Sequence, residues 1–234
     1  MIRLAIDCAD KAVSCAVARD GVIVGHSFLQ TGQTHSQTLM PQIEAAMEQA
    51  GITAADVDEF AVSCGPGSFT GLRIGIAAVK GLSFVGDKPC RAVSTLHAIA
   101  ASCREHIGTV CAVMDARCSQ VYNSLFCCQD GRLRRLCDDR ALMIDELGDE
   151  LAALDEPILL VGPGARLCYE QLSGRIGNLG VADVPTPDAA CVAAVADEYG
   201  AVSAASLMPA YLRLPQAERE LKAKQNNSNG GNKI

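Results

Sequence analysis

The same series of landmarks occurs twice along the chain, and this internal repeat constrains the fold more than any other feature. In the first copy a buried strand ends at Asp7 and a hairpin turns at Asp20-Gly21, 13 residues later. In the second copy a strand ends at Asp115 and a hairpin turns at Asp130-Gly131, 15 residues later. An Asp-Gly pair between β-rich runs is a strong hairpin signal. Each copy therefore predicts a three-stranded antiparallel meander.

The repeat continues beyond the meanders. A helical pattern over 36–50 precedes a strand and Gly65-Pro66-Gly67, and one over 144–154 precedes a strand and Gly162-Pro163-Gly164. Each unit is predicted to extend its meander with parallel strands and crossover helices. The sequence thus predicts an α/β protein of two duplicated ribonuclease-H-like lobes, the arrangement of the actin, hexokinase and Hsp70 superfamily, with a cleft between the lobes.

The predicted domain boundaries follow the repeat. Residues 1–105 are predicted as the N-terminal lobe and residues 106–216 as a smaller C-terminal lobe, because the segment near 103–108 interrupts the pattern. Residues 217–234 are polar and rich in Asn, Gly and Lys, which is typical of a disordered tail.

Charge and hydropathy exclude several classes of protein. Twenty basic residues against 27 acidic residues give a net charge of −7 and a pI near 5.1. Proteins that bind nucleic acid directly usually carry a basic surface, so any contact with RNA is expected to pass through a partner. The uninterrupted apolar runs of this sequence fall short of the roughly 18 residues that a membrane span needs, so no membrane association is expected.

The twelve cysteines are expected to be free thiols. No secretory signal is recognisable before the first strand, and no two cysteines have the Cys-x-x-Cys spacing of zinc or redox sites. The four histidines form no His-x-x-x-His pair. We therefore expect a cytoplasmic protein with reduced cysteines and no bound metal.

Asp7 and Asp115 occupy equivalent places and are the candidates for the cleft, together with Gly65 and Gly67. In ATP-using members of the superfamily, aspartates here hold a metal–nucleotide and glycines let the backbone approach the phosphates. The turns that follow the two aspartates, Cys-Ala-Asp-Lys and Ala-Arg-Cys-Ser, contain no glycine. Each aspartate could equally cap its own turn. The sequence argues against independent ATP hydrolysis and offers no catalytic residue.

Two helices are candidates for a partner interface. The helix over 71–86 is apolar on nearly every side, and a helix of this kind is normally buried on nearly every side. Either another part of the chain or a partner must cover it, and both alternatives remain open at this point. If a partner covers it, the interface is predicted to contain Leu39, Ile43, Met47, Arg73, Ile76, Ala77, Lys80 and Phe84.

Several segments resemble the TsaB (YeaZ) family. The most specific is GPGSFTGLRIGIAAVKGL, which begins at Gly65; LAIDCADKAVSCAV and His35-Ser36 match earlier in the chain, and Met114-Asp115-Ala116-Arg117 and Pro209-Ala210-Tyr211-Leu212-Arg213 match later. The similarity is dense over 1–122 and faint over 123–205. It is carried by motifs rather than by composition.

The resemblance implies a non-catalytic subunit in threonylcarbamoyladenosine synthesis on tRNA. Members of this family pair with TsaD, a catalytic paralogue of the same fold, and an ATPase, TsaE, joins the pair. On their own they form homodimers through the same helical face. By the resemblance, the protein alone should bind no cofactor, ATP or ADP would bind only in the multi-subunit complex, and tRNA would be contacted only through that complex.

Two other classes of function remain open on the sequence. A small ATP-using kinase or ATPase of the same superfamily would need phosphate-binding turns. A peptidase-like relative would need paired histidines as metal ligands.

Overall fold

The computed structural model describes residues 1–182 and 186–213 of the chain. They form two mixed β-sheets flanked by helices, so the predicted two-lobed α/β fold is confirmed. None of the helices in these ranges is long and apolar enough to cross a membrane. The predicted tail, residues 217–234, lies outside the described residues.

The first lobe follows the predicted order of elements. Its strands and helices are β1 (Ile2–Asp7), β2 (Val13–Arg19), β3 (Val22–Leu29), α1 (His35–Ala50), β4 (Glu59–Gly65), α2 (Phe69–Phe84), β5 (Cys90–Ser94) and α3 (Thr95–Ala101). Strand β1 is central, antiparallel to β2 and parallel to β4.

The second lobe repeats this arrangement. Its elements are β6 (Gly108–Arg117), β7 (Gln120–Gln129), β8 (Arg132–Arg135), β9 (Arg140–Met143), α4 (Ile144–Ala152), β10 (Ile158–Val161), α5 (Ala165–Leu172) and β11 (Leu179–Val181). Strand β6 is antiparallel to β7 and parallel to β10, as β1 is to β2 and β4. The third strand of the meander is divided, because β8 and β9 both pair with β7.

Both predicted Asp-Gly hairpin turns are present. The φ angles are 51° and 82° at Asp20 and Gly21, and 52° and 71° at Asp130 and Gly131. Positive φ at both central residues is what a type I′ turn requires, and its twist matches that of the flanking strands. The two meanders are therefore fixed by local sequence.

Part of the predicted C-terminal lobe, residues 106–216, packs on the first lobe instead, and residue 216 itself lies outside the described residues. The chain returns to the first lobe after β11, as α6 (Ala189–Val195) and β12 (Ala201–Val202), and β12 pairs with β5 at the edge of the first sheet. One face of that sheet is rich in alanine, including Ala5 and Ala16, which leaves room for α6 to approach closely. The last helix thus completes the other lobe rather than its own.

Helix α3 lies between the sheets. Its Ala98 packs in the same cluster as α6 on the first sheet, while Leu96 and Ile99 pack against Val110 and Phe126 of the second sheet. The two lobes therefore share buried apolar surface along one helix.

Three of the predicted interface residues are instead part of the first core. Leu39 and Ile43 are 3% and 0% exposed, and Ile76 is 4% exposed. The buried residues of α2 include Gly75, Ile76 and Val79, so Ile76 lies within the face toward the sheet rather than outside it. The stripe on α1 likewise covers its own sheet, and Met47 packs partly against the same core.

Candidate functional site

A cleft of about 480 Å³ lies between the lobes where the turns after β1 and β6 face each other. The start of α2, in the first lobe, also lines this cleft. The residues that line the cleft are Ala9, Asp10, Gly67, Ser68, Phe69, Thr70, Met114, Asp115, Ala116, Arg117 and Tyr122.

Asp7 lies beneath the cleft rather than in it. Its side chain is buried and accepts hydrogen bonds from the Ala9 N–H (3.0 Å) and from the Ser63 hydroxyl. Burial raises the pKa of Asp7 to about 6, against the opposing effect of these two hydrogen bonds. Asp7 therefore caps the turn at Ala9, and a ligand in the cleft could not reach its carboxylate without displacing that turn.

Asp115 makes the equivalent bond but is open to the cleft. Its Oδ1 accepts a hydrogen bond from the N–H of Arg117 (2.6 Å), two residues later, as Asp7 does from Ala9. Unlike Asp7, Asp115 is exposed and lines the cavity. Both aspartates thus cap their turns, and of the two only Asp115 presents its carboxylate to the cleft.

The two candidate glycines allow the backbone of other segments of this chain to approach closely. Gly65 has φ 127°, and a Cβ there would lie 2.6 Å from the carbonyl oxygen of Ala210. A Cβ at Gly67 would collide with the carbonyl of Ala9, which also accepts a hydrogen bond from the N–H of Ser68 (2.7 Å). This strand-to-helix turn is packed on the turn after β1, where a phosphate-binding member would need space for its ligand.

The C-terminal segment, which we call the strap (residues 207–213), closes one side of this region. Tyr211 stacks on Phe69 with ring centroids 4.5 Å apart, and its hydroxyl accepts a hydrogen bond from Arg73 Nε (2.6 Å). The Arg213 guanidinium donates to the carbonyl of Ala116 in the second lobe. The strap therefore joins α2 to the turn after β6.

Sequence reasoning missed the role of the strap. The motif from Pro209 to Arg213 was recognisable as a family segment, but it gave no signal of where the segment lies. The segment that leads into the strap answers part of the question about α2, because Leu207 is buried in the first core and Lys80 Nζ donates to the carbonyl of Ala205 (3.2 Å). Part of the chain itself therefore lies along one side of α2, while Ala77 and Phe84 stay exposed.

The remaining predicted interface residues are found on the outer face of α2. Arg73 and Ala77 are exposed, Lys80 is half-buried, and the Phe84 side chain is 84% exposed. A large apolar side chain left this open at the end of a helix is a candidate contact with another protein.

Within residues 1–182 and 186–213, no group of three or more His, Cys, Asp or Glu side chains is placed to hold an ion. The twelve cysteines, all within these ranges, form no disulfide with one another.

Comparisons with known proteins identify relatives of this chain. The family model described as TsaD, tRNA N6-adenosine threonylcarbamoyltransferase, matches residues 29–159. The chain is 31% identical over 221 residues to the tRNA threonylcarbamoyladenosine biosynthesis protein TsaB of Bacillus subtilis, covering 93% of this chain and 96% of that one.

Solved structures give the same result. YeaZ from Pseudomonas aeruginosa superposes with a TM-score of 0.74 at 26% identity, covering 90% of this chain and 99% of that chain. A second P. aeruginosa structure, of an uncharacterized protein with similarity to peptidase YeaZ, has a TM-score of 0.78 at 27% identity, covering 91% and 99%. With its duplicated lobes, its capped aspartate turns and this near full-length similarity, the chain belongs to the TsaB (YeaZ) family of tRNA threonylcarbamoyladenosine biosynthesis proteins.

Proposed function

We propose that this protein is the non-catalytic partner subunit of the complex that adds threonylcarbamoyl to the adenosine beside the anticodon of tRNA. Its catalytic partner would be a TsaD-like paralogue. The observation that carries the proposal is the 31% identity to B. subtilis TsaB over 93% of this chain. The match of residues 29–159 to the TsaD model indicates that the chain and its proposed partner share a fold.

The geometry of the cleft supports a subunit without chemistry of its own. Asp7 is buried under its turn, and Gly67 is in contact with Ala9 where a phosphate would have to approach. A kinase or ATPase of this superfamily needs that approach to be open. ATP or ADP would accordingly bind only in the assembled complex.

The outer face of α2 is the surface that we assign to the partner. It presents Arg73, Ala77, Lys80 and Phe84. Met47 of α1 is half-buried and packs against the core of the first lobe. Because the proposed partner has the same fold, its corresponding helices could pair with α1 and α2 about a pseudo-twofold axis. A second copy of this chain would use the same surface in a homodimer.

The other proposed partners follow from charge and from the family. A net charge of −7 disfavours direct binding of tRNA, so tRNA would be held by the complex. A TsaE-like ATPase would join the pair of subunits.

Reconstitution with the TsaD-like paralogue from the same genome tests this proposal. We expect threonylcarbamoyladenosine, measured by mass spectrometry of digested tRNA, to form only when both subunits are present. Asp115→Asn should support the reaction as the wild type does, because the proposed role is not catalytic. Phe84→Glu should lose the complex in size-exclusion chromatography while keeping its fold.

Two results would contradict the proposal. One is full product formation by the paralogue and its remaining partners without this chain. The other is ATP hydrolysis by the chain alone that disappears in Asp115→Asn.

A further inference from the structure

A second cavity, of about 470 Å³, lies where both lobes and the returning segment meet. It is separate from the cleft described above and shares no lining residue with it. The residues that line it are Ser94, His97, Arg135, Asp138, Asp139, Glu198 and Tyr199. Six of these seven side chains carry charge or a hydroxyl group, and the seventh is a histidine.

A hydrogen-bond network fixes one wall of this cavity. Tyr199 OH lies 2.9 Å from His97 Nδ1 and 3.5 Å from Arg135 Nη2. Arg135 Nη1 also donates to Asp139 (2.5 Å), which accepts a second bond from the Ser94 hydroxyl (2.6 Å). Arg135 and Asp139 are therefore occupied by each other and by their neighbours.

The network favours one tautomer of His97. A guanidinium can only donate, so the Tyr199 oxygen accepts from Arg135, and we assign the Tyr199 hydroxyl proton to the contact with His97 Nδ1. Burial, helped by the positive charges of Arg135 and Arg104, lowers the pKa of His97 to about 4. At neutral pH the ring is neutral, and in the assigned tautomer its single proton is on Nε2.

This Nε2–H has no acceptor among the residues that the structure describes. His97 is 4% exposed, and the nearest carboxylate oxygen, Glu198 Oε2, is 3.6 Å away, beyond hydrogen-bond distance. Buried donors are nearly always satisfied in folded proteins. Because His97 is among the residues that line the cavity, this unpaired donor points to an acceptor supplied by a ligand.

The charges of the cavity define that acceptor. Asp138, Asp139 and Glu198 against Arg135 give the lining a net charge of −2, which disfavours a carboxylate or phosphate ligand. Asp138 makes no hydrogen bond within the described ranges, and Glu198 has only the long approach to His97. A hydroxyl group is able both to accept from the Nε2–H and to donate to a carboxylate.

We propose that this cavity binds a neutral polyhydroxylated ligand through a vicinal diol, as in a ribose or another sugar ring. One hydroxyl accepts from His97 Nε2–H and donates to Glu198, and its neighbour donates to Asp138. The diol could belong to a free sugar or to a nucleoside, and both present the same chemistry. This inference is independent of the proposed function, since no residue of the cavity belongs to the cleft or to the α2 face.

NMR titration of the full chain tests the proposal, with methyl β-D-ribofuranoside and uridine as the two probes. We expect saturable shifts of the His97 ring signals with at least one probe, and the tighter of the two identifies the source of the diol. Glu198→Gln should weaken binding about tenfold, the usual loss for a charge-assisted hydrogen bond. Glu170→Gln, at an exposed carboxylate on α5, is the matched control and should bind as the wild type does.

The same measurements can overturn the proposal. It fails if neither probe gives a saturable shift, if the 2-deoxy analogue binds as well as the riboside, or if Glu198→Gln has no effect. It also fails if uridine monophosphate binds more tightly than uridine. Nitrogen-15 spectra provide a check that needs no variant, because a proton found on His97 Nδ1 would remove the donor from the cavity.

Discussion

Asp7 and Asp115 accept the same backbone hydrogen bond at the ends of equivalent strands, yet one is buried and the other faces the cleft. This difference in burial comes from the helix that packs next to each turn, α2 in the first lobe and α5 in the second. Helix α2 has 16 residues, and Gly67 and Gly71 bring its start onto the turn that covers Asp7. Helix α5 has 8 residues and begins beside Asp115 without covering its side chain.

The turns themselves also differ. After Asp115, three successive residues, Arg117, Cys118 and Ser119, have φ values of 64°, 56° and 55°. Positive φ is costly for residues other than glycine, so this turn stores strain that the turn after Asp7 does not show. Both lobes therefore keep the capped turn. In the first lobe the packing of α2 covers Asp7, whereas in the second lobe Asp115 stays open to the cleft.

The largest expected effect comes from breaking the packing that closes the first copy. Ile76→Glu would place a charge in the first core, and an uncompensated buried charge is expected to destabilise the fold by about 3–5 kcal/mol. Phe84→Glu, on the same helix but 84% exposed, should change the unfolding free energy little. Urea denaturation followed by circular dichroism measures both. Equal stability of the two variants would show that α2 is not packed as described.

A smaller effect is expected at the glycines that set each helix against its turn. A Cβ at Gly71 would meet the carbonyl of Cys8, whereas a Cβ at Gly164 would lie 3.0 Å from the nitrogen of Asp115. Overpacking against backbone typically costs about 1–3 kcal/mol, so Gly71→Ala should lie near the top of that range and Gly164→Ala near the bottom. Thermal denaturation compares them. A larger loss for Gly164→Ala would reverse the comparison of the two copies.

Local sequence was sufficient for the parts of the fold that short segments determine. The Asp-Gly hairpins, the Gly-Pro-Gly turns and the capping role of the two aspartates all depend on residues within a few positions of each other. The hairpins and the Gly-Pro-Gly turns were predicted from the repeat, and the structure contains them. Capping was one of two alternatives left open for the aspartates, and both aspartates cap their turns.

The failures share a different cause. The return of α6 to the first sheet depends on the alanine face of a strand layer about 180 residues away in sequence, and the burial of Ile76 depends on the rotation of α2 over that sheet. Neither is encoded in a helical wheel. Similarly, Tyr211 and Arg213 became part of the candidate site only through contacts with Phe69 and Ala116.

The buried aspartate should also make the two copies respond differently to pH. Since the pKa of Asp7 is about 6 in the fold and 3.8 in the unfolded chain, its contribution to stability is full below pH 3.8 and is lost as the pH rises through 6. Asp7→Asn cannot ionise, so its stability relative to the wild type should rise over this window by at most about 3 kcal/mol, at roughly 1.36 kcal/mol per pKa unit.

Urea denaturation at several pH values measures this difference. Asp115→Asn, at the exposed aspartate, is measured alongside as the corresponding variant of the second copy. If the difference in unfolding free energy between Asp7→Asn and the wild type stays constant from pH 4 to pH 7, the raised pKa of the buried Asp7 is contradicted.

The smallest energetic effect, and the most direct measure of exposure, concerns the cysteines beside the two aspartates. Cys8 follows Asp7 and is 1% exposed, and burial, together with the charge of Asp7, raises the pKa of its thiol well above the usual value. Cys118 is exposed in the turn after Asp115. Because only an accessible thiolate reacts, iodoacetamide should label Cys118 in the native protein about 100-fold faster than Cys8. Cys118→Ser should change stability by less than about 0.5 kcal/mol, as is usual for a surface site.

Peptide mass spectrometry after timed labelling gives both rates. In a separate, unlabelled sample, denaturation without reductant should expose all twelve cysteines of the chain as free thiols. Comparable native rates at Cys8 and Cys118 would mean that the first turn opens as readily as the second. In that case the closure of the first copy by α2 would be too transient to exclude a ligand, and the argument against a nucleotide at Asp7 would lose its physical basis.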